Sequence, residues 1–212
     1  KAAASLDVLS GGRFELGIGA GAFWEGVTAM GGPLRDGPRS VDALEEAIQI
    51  IRAAWSGERG VRFHGAHYDV DGWKPGPPPA HPIEIWVGGY GPRMLRLIGR
   101  LADGWIPSLS YVPPDVVPAR QLKVDEGALA AGRDPSEIRR LYNVGGTITD
   151  GDFSGELLRG PVEHWVETLQ WFHDDLRFDA FLFWPDDGTP GQVRRFAEEV
   201  APAVRAAVAA PG

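Results

Sequence analysis

The sequence predicts an α/β fold with a parallel sheet, because short apolar runs alternate with longer amphipathic segments along its 212 residues. The apolar runs show no clean polar alternation, as is typical of strands buried on both faces. Strands that alternate with helices pair in parallel, and right-handed crossovers curve such a sheet towards a barrel. We therefore predict parallel strands, in sequential order, at residues 13–19, 83–87, 104–108, 141–148 and 178–184.

Amphipathic segments predict the helices that alternate with these strands. In most of them apolar side chains recur every three or four residues, as Val41, Leu44 and Ile48 do. Glycines or prolines stand at many of their limits and indicate their approximate ends. The predicted helices lie at residues 1–9, 41–55, 92–102, 113–131, 161–175 and 190–210.

The segments between these elements contain turn-forming residues. Residues 24–40 and 150–160 are rich in glycine and predict loops, while residues 134–137 resemble the capping box of a short helical turn. Residues 61–70 predict two short extended pieces. A stiff run that contains prolines follows at 74–82 and leads into the central strand.

Residues 83–108 contain the clearest strand–turn–helix unit. The apolar run 83–87 ends in the sequence GGYG, and Pro92 suits the first turn of the helix that follows. Glycines allow positive φ and close approach of the backbone to a ligand, while free N–H groups at a helix N-terminus attract phosphate. The pattern predicts an anion site, with a purely structural turn as the alternative. For an anion site, we expect a β-branched residue at Gly89 or Gly91 to strain the turn.

Composition and charge limit the classes of partner. The chain is 43% hydrophobic and 24% charged, with a net charge of -8, which argues against nucleic acid or an anionic membrane as a partner. It contains no cysteine, and we expect a cytoplasmic protein. His64 and His67 form an HxxH pair that would face opposite sides of an extended piece, so we predict no metal site.

Three stretches of the chain resemble the luciferase-like monooxygenase family, which includes bacterial luciferase and coenzyme F420-dependent oxidoreductases. They read LDVLSGGRFELGIGAG, IWVGGYGPRMLRLIGRLADGW and FAEEVAPAVR. The resemblance implies a TIM (βα)8 barrel with bound FMN or coenzyme F420, a deazaflavin. The first stretch resembles the passage into the fourth barrel strand. We therefore expect one domain over residues 1–212 that contains only the last five βα units and is inactive alone. We expect it to be unstable alone or to form a homo-oligomer through its open sheet edges.

The same resemblance implies where the cofactor lies, since barrel enzymes bind ligands at the C-terminal ends of their strands. In the family, the loop after the fifth strand holds the cofactor phosphate through backbone N–H groups, and a hydroxyl after the sixth strand adds to it. Trp24, Trp105 and Trp184 are predicted either as contacts of the cofactor ring or of a substrate, or as core residues. The predicted cofactor-binding residues are Gly21, Gly88, Gly89, Tyr90, Gly91, Trp105 and Ser108.

The catalytic residue is not identified by these patterns. In deazaflavin-dependent sugar-phosphate dehydrogenases of this family a glutamate directly follows the glycine loop of the fourth strand, whereas Ala22 stands there in this chain. Glu25 is the remaining candidate, with a solvated loop carboxylate as the alternative. The predicted function is a flavin- or deazaflavin-dependent oxidoreductase or monooxygenase. The alternative is a shortened relative that binds flavin or another subunit without turnover.

Overall fold

The computed structural model describes residues 1–35, 37–151 and 155–209. Its contacts separate two compact units. The first unit comprises Lys1–Trp105 and Lys123–Ile138, and the second comprises Ile106–Leu122 and Arg139–Gly212. The assignment of residues 1–212 to one domain stays a prediction.

The described chain combines helices with mostly parallel strands, which confirms the predicted α/β class. It also contains short 3-10 turns at Pro114–Val116 and Pro135–Glu137 and a π turn at Phe196–Val200. The elements are α1 (Ala2–Ser10), β1 (Leu16–Gly19), α2 (Trp24–Ala29), α3 (Gly37–Trp55), β2 (Val61–His64), β3 (Asp69–Trp73), β4 (Ile85–Gly88), α4 (Pro92–Leu101), β5 (Gly104–Trp105), α5 (Val117–Ala130), β6 (Arg139–Ile148), β7 (Arg159–Gly160), α6 (Val162–Asp174), β8 (Ala180–Pro185), α7 (Pro190–Arg195) and α8 (Ala201–Ala209).

A parallel sheet runs through the first unit. Strand β1 pairs in parallel with β4, with Gly19 opposite Gly88 at their C-terminal ends. Strand β4 pairs in parallel with β5, with Val87 opposite Trp105. The predicted parallel pairing of these three segments is confirmed, although the strand expected at 104–108 is limited to Gly104–Trp105.

The core of the first unit collects around β4 and α4. Ile85 and Val87 of the strand and Leu95 and Ile98 of the helix are all 0% exposed. On the outer face of α4, Arg100 donates to both carboxylate oxygens of Glu45 on α3, at 2.7 Å each. The apolar face of α4 therefore supplies the burial that stabilises this unit, and its arginines join it to α3.

Helix α4 meets the C-terminal part of α5 backbone to backbone. A Cβ atom added to Gly99 would lie 2.0 Å from the carbonyl oxygen of Val124, and one added to Gly127 would lie 2.3 Å from that of Arg96. No side chain, however small, fits at either contact. The two glycines therefore set how closely the helices approach.

An antiparallel hairpin confirms the extended pieces predicted at 61–70. Strand β2 pairs with β3, with His64 opposite Asp69. Glu46 of α3 accepts hydrogen bonds from the backbone N–H groups of Ala66, His67 and Tyr68 in the turn. Burial acts to raise the pKa of Glu46, but these N–H groups outweigh it and hold the pKa below its usual value.

The second unit contains its own parallel strands. Strand β6 pairs with β8 over six register partners, from Leu141 opposite Ala180 to Gly146 opposite Pro185. The end of β6 also pairs in parallel with β7. Ser108 forms a single parallel bridge with Asn143 of β6, which puts it beside the middle of that strand.

Aromatic side chains fill the core of the second unit. Tyr142 of β6 stacks on Phe178 with 4.1 Å between ring centroids and meets Phe172 of α6 edge-on at 5.4 Å. The three rings are fully buried, and the Tyr142 hydroxyl donates to the carbonyl oxygen of Val112. Burial raises the pKa of Tyr142 far above its usual range, so this phenol is a neutral core donor.

Two of the predicted loops contain regular structure. Helix α2 and the first turn of α3 lie within 24–40, where the glycines that suggested a loop, Gly31 and Gly32, follow the end of α2. Strand β7 lies within 150–160, and its two residues are too few to show any periodicity in the sequence. The parts of these predictions that fall on Asp36 and on residues 152–154, and the helix end predicted at Ala210, lie outside the described residues.

Candidate functional site

Two glycine turns lie side by side at the C-terminal ends of β1 and β4. A Cβ atom on Gly19 would lie 3.7 Å from the carbonyl oxygen of Gly88, its register partner. Beyond these residues, Gly21 has a φ of +96° and Gly89 a φ of +156°, which L-residues rarely adopt. The structure therefore brings the 19–21 and 88–91 segments, both predicted from sequence, to adjacent strand ends.

Gly91 has a different role from Gly89. Its φ of -70° and ψ of 146° are accessible to any residue, and a Cβ atom there would meet nothing within 4 Å. The expectation that a β-branched residue at Gly91 would strain the turn is therefore wrong. Gly91 instead caps α4, and its carbonyl oxygen accepts the N–H of Leu95 at 2.9 Å.

The N-terminus of α4 leaves backbone N–H groups available. Pro92 occupies the first turn, and no side chain among the described residues caps the helix through a hydrogen bond. Tyr90, next to the cap, is 52% exposed. An open helix start that follows a glycine turn can bind an anionic group through N–H donors and the helix dipole.

Trp105 supports the 88–91 loop from inside the first unit. Its indole Nε1 donates to the carbonyl oxygen of Gly89 at 2.9 Å, and the side chain is 0% exposed. A fully buried indole offers no free face to a cofactor ring, which supports the core alternative for Trp105, and its place among the cofactor-binding residues stays a prediction. Through this hydrogen bond Trp105 restrains the position of Gly89.

The 19–21 segment is covered by Trp24. A Cβ atom on Gly21 would lie 3.1 Å from the ring of Trp24, so the indole fills the space that only glycine leaves open. Glu25 follows in the first turn of α2 and is exposed. Among the residues that the structure describes, no side-chain partner distinguishes Glu25 from a solvated carboxylate, and its catalytic role stays a prediction.

In the second unit, Ser108 lies beside a polar residue that the sequence analysis missed. Nδ2 of Asn143 contacts Oγ of Ser108 at 3.3 Å, and Oδ1 of Asn143 accepts the indole N–H of Trp184 at 3.2 Å. Trp184 is 64% exposed, so its ring is available to a ligand. Asn143 could have been noticed in the sequence as a polar residue inside an otherwise apolar strand.

A second polar group stands at the ends of β6 and β8. Asp186 accepts the Thr147 hydroxyl at 2.9 Å and pairs with Arg159 at 2.9 Å. Both strands end at this point, and the Asp186 N–H also donates to the carbonyl oxygen of Gly146 at 3.1 Å. These bonds hold the carboxylate in place as a structural tie between the strand ends.

Three ionisable residues meet at the N-terminal ends of β1 and β4. Asp7, which is 0% exposed, accepts Nδ1 of His81 at 2.8 Å and the backbone N–H groups of Ala80 at 2.7 Å and His81 at 3.1 Å. Nε2 of His81 lies 3.1 Å from Oε1 of Glu15. Because Asp7 and His81 are far apart in sequence, no local pattern reveals the cluster.

The environment shifts two of these pKa values in opposite directions. Burial acts to raise the pKa of Asp7, but backbone hydrogen bonds from His81, Ala80 and Phe14 outweigh it and lower the value. The hydrogen bond to Glu15 raises the pKa of His81 against the effect of burial, and Asp7 adds to the increase. The cluster therefore favours an imidazolium between two carboxylates.

A groove of about 420 Å³ lies next to this cluster. It is lined by Arg52, Trp55, Ser56 and residues 78–83, which include His81. It is at the start of β4, whereas the glycine turns are at the end of that strand. Both of its basic side chains are engaged, since Arg52 binds Asp103 at 2.9 Å and the carbonyl oxygen of Leu101 at 2.8 Å, and His81 contacts Asp7 and Glu15. The groove therefore does not belong to the candidate cofactor site.

The described residues contain no group of three or more His, Asp or Glu side chains that could hold a metal ion. His64 contacts Asp69 through Nδ1 at 2.6 Å, and His67 lies in the turn that Glu46 caps. Within the same residues, no helix combines the length and the apolar character that crossing a bilayer requires.

The family model and the curated relatives that match this chain point to the same family. The model of the luciferase-like monooxygenase family matches residues 1–152. The phthiodiolone/phenolphthiodiolone dimycocerosates ketoreductase of Mycobacterium bovis is 40% identical over 177 residues, which cover 80% of this chain and 42% of the ketoreductase. The F420-dependent glucose-6-phosphate dehydrogenase of Microbacterium testaceum is 34% identical over 142 residues, 66% of this chain and 41% of that enzyme.

The fold agrees with this family. A solved structure, an F420-dependent secondary alcohol dehydrogenase in complex with an F420-acetone adduct, matches with a TM-score of 0.81 at 19% identity. The match covers 96% of this chain and 73% of that one. It confirms the predicted fold class, that of the barrel enzymes of this family. The chain spans about two fifths of the length of the two curated relatives, 41% and 42%.

Proposed function

Since the chain belongs to the luciferase-like monooxygenase family, we propose that the protein is an oxidoreductase that works with reduced coenzyme F420 or FMN. The observation that supports this most directly is the pair of glycine turns at the ends of β1 and β4. Their bare backbone, followed by the start of α4, suits the phosphate that both cofactors carry. The reduced cofactor would supply a hydride to a substrate or electrons to oxygen.

In this proposal the 88–91 loop holds the phosphate through its backbone. Gly88 and Gly89 carry no side chain that would block the approach of an anion, and Gly91 begins a helix of ten residues. Trp105 restrains the loop through the carbonyl oxygen of Gly89. A restrained loop loses less conformational freedom on binding, which favours affinity.

Hydride transfer is the reaction we propose first. The two curated relatives named above are a ketoreductase and an F420-dependent dehydrogenase, which supports coenzyme F420 and hydride transfer. The substrate is then a small molecule with an alcohol or carbonyl carbon. Anaerobic mixing of the protein with reduced F420 and a ketone, followed by absorbance of oxidised F420, tests the reaction.

The missing catalytic acid favours one alternative. Ala22 stands where a glutamate follows the glycine loop in sugar-phosphate dehydrogenases of the family, and Glu25 is exposed. A protein that binds the cofactor without turnover would have the same glycine turns. Binding without consumption of reduced cofactor, over a panel of ketones and alcohols, would support this second function.

Replacing Gly89 by valine is expected to weaken cofactor binding by about 1–3 kcal/mol. The new side chain would have to adopt a φ of +156°, and its Cβ atom would come within 2.5 Å of Cγ of Met94. The loop would shift, and its N–H groups would no longer converge on the phosphate. Fluorescence titration of wild type and variant with F420 and with FMN measures the effect.

Gly91→Ala is the matched control, because its Cβ atom would enter open space at an unstrained φ of -70°. It should bind the cofactor within about twofold of wild type, since only its N–H is used. Circular dichroism identifies any variant that fails to fold. Equal affinity of Gly89→Val and wild type would exclude this loop as the phosphate site.

A further inference from the structure

Helix α1 and strand β1 are attached to the rest of the first unit by little apolar burial. Only Ala4 and Asp7 of α1 are buried, and none of the four residues of β1 is buried. In the described part of the chain β1 pairs with β4 alone, so it is the edge strand of its sheet. A segment with few buried apolar contacts opens locally more easily than the core beside it. The polar contacts of this segment therefore weigh heavily in its attachment.

The cluster of Asp7, His81 and Glu15 supplies such contacts. Asp7 lies on α1, Glu15 directly precedes β1, and His81 lies in the segment that leads into β4. The imidazole bridges the two carboxylates, with Nδ1 at 2.8 Å from Oδ1 of Asp7 and Nε2 at 3.1 Å from Oε1 of Glu15. One ring therefore ties both α1 and the start of β1 to the segment before β4.

The protonation state of the ring decides whether both contacts are favourable. A carboxylate only accepts hydrogen bonds and an imidazolium donates from both nitrogens, so the charged ring satisfies Asp7 and Glu15 together. A neutral imidazole donates from one nitrogen and turns the lone pair of the other towards a carboxylate. Loss of the proton therefore replaces one attractive contact by a repulsive one.

The ring can exchange its proton with solvent while the chain stays folded. The His81 side chain is 28% exposed and lines the groove of about 420 Å³ at the start of β4. The hydrogen bond to Glu15, with a contribution from Asp7, raises the pKa of His81. The proton is therefore lost above the ordinary value of 6.5, in a range where both carboxylates are ionised.

Other charged side chains near the cluster have partners of their own. Arg52 of α3 lines the same groove and pairs with Asp103 at 2.9 Å. The Glu84 carboxylate accepts the indole N–H of Trp86 at 2.7 Å. Within the residues that the structure describes, the carboxylates that hydrogen-bond the imidazole are the two of the cluster.

We propose that His81 is a pH-dependent clamp, closed while its ring is an imidazolium and weakened when the ring loses its proton, that controls the local opening of α1 and β1. Strand β1 ends at Gly19, the register partner of Gly88. The clamp at one end of β1 therefore governs how firmly the strand that leads into the 19–21 segment is held against β4. This inference goes beyond the proposed function and does not depend on it.

Hydrogen–deuterium exchange of the whole chain, read by mass spectrometry, tests the clamp. Protection factors, which correct for the intrinsic effect of pH on exchange, are measured for peptides within residues 2–19 at pH 6 and pH 9. We expect protection in wild type to fall about 5- to 30-fold between these values, because the closed state loses the cluster contacts. Equal protection at both pH values would overturn the proposal.

Low concentrations of urea distinguish local opening from unfolding of the whole unit. A local opening exposes little surface, so exchange of residues 2–19 should depend only weakly on urea, whereas exchange of the α4 core should depend on it steeply. Exchange of both segments with the same steep urea dependence would show that α1 and β1 open only together with the core, which would overturn local opening.

Glu15→Gln tests the hydrogen-bond logic of the clamp. The new amide can donate to the deprotonated Nε2 of His81 while Nδ1 donates to Asp7, so the neutral ring keeps both contacts. Protection of residues 2–19 should then change by less than about twofold from pH 6 to pH 9. A fall as large as that of wild type would overturn the clamp, because another titrating group would then be the cause.

Glu58→Gln is the matched control, since Glu58 is exposed and lies outside the cluster. It should retain the full pH dependence of wild type. His81→Gln provides a second decision if Glu15→Gln does not fold, as judged by circular dichroism. It removes the titrating ring, so protection of residues 2–19 should be low and independent of pH, and a wild-type fall between pH 6 and pH 9 in this variant would overturn the proposal.

Discussion

Replacing Gly99 by alanine is expected to lower the free energy of unfolding by about 2–4 kcal/mol. Helix propensity alone predicts the opposite sign, since alanine is the better helix former. The added Cβ atom would lie 2.0 Å from the carbonyl oxygen of Val124 and 2.6 Å from the N atom of Ala128. These are backbone atoms of α5 that cannot rotate away, so the two helices must separate. Urea denaturation followed by circular dichroism measures the loss.

Gly191→Ala is the control for this prediction. Gly191 lies in α7, and its added Cβ atom would meet only the Thr189 hydroxyl at 3.9 Å. At Gly191 the higher helix propensity of alanine is not opposed by a clash. We therefore expect the free energy of unfolding to stay unchanged or to rise by up to about 1 kcal/mol. A loss in Gly191→Ala equal to that in Gly99→Ala would contradict the helix contact as the cause.

The cluster of Asp7, His81 and Glu15 is expected to make stability depend on pH. The pKa of His81 is raised, so its contribution is complete below the ordinary value of 6.5 and is lost as pH rises through the raised pKa. The pKa of Asp7 is lowered, so its contribution is complete above the ordinary value of 3.8 and is lost as pH falls through the lowered pKa. The cluster therefore stabilises most between these values.

His81→Gln should remove the alkaline part of this dependence. Glutamine has one donor group and no charge, so it cannot donate to both carboxylates as an imidazolium does. We expect the melting temperature of the variant to lie about 3–8 °C below that of wild type near pH 6 and to approach it near pH 9. Melting curves across this range measure the difference.

The comparison variant is His173→Gln. The His173 side chain is 39% exposed. Among the described residues, its ring contacts only the neighbouring Asp174. An exposed pair of this kind contributes little. A melting temperature gap between His81→Gln and wild type that stayed constant from pH 6 to pH 9 would show that His81 acts by packing and not by charge.

The strands and helices were largely predictable from the sequence because their signals are local. The apolar run at 83–87 and the helical spacing of Val41, Leu44 and Ile48 each depend on neighbours within a few residues. The stretches around the 19–21 and 88–91 segments were specific enough to indicate the family, which the match to residues 1–152 confirms. Short α2 and β7 were missed, since six and two residues show too little periodicity.

The roles of individual residues at the site depended on tertiary structure. Gly89 and Gly91 are the same residue two positions apart, yet only Gly89 has a positive φ, while Gly91 caps α4 with an ordinary φ of -70°. Trp105 became a buried support of the loop once β5 paired with β4. Residue type alone does not distinguish these roles, because a backbone angle or an indole contact depends on the residues that pack against it in the fold.

Contacts between distant residues were decided by the fold alone. Asn143 reaches Ser108 and Trp184 through strand register, and Asp7 reaches His81 across 74 positions of sequence. Local spacing in the sequence was enough to indicate the family, most of the elements and the glycine turns. Which polar groups meet depends on the fold, because a hydrogen bond requires two atoms within about 3 Å of each other, and residues far apart in the sequence meet that condition only when the strands pair.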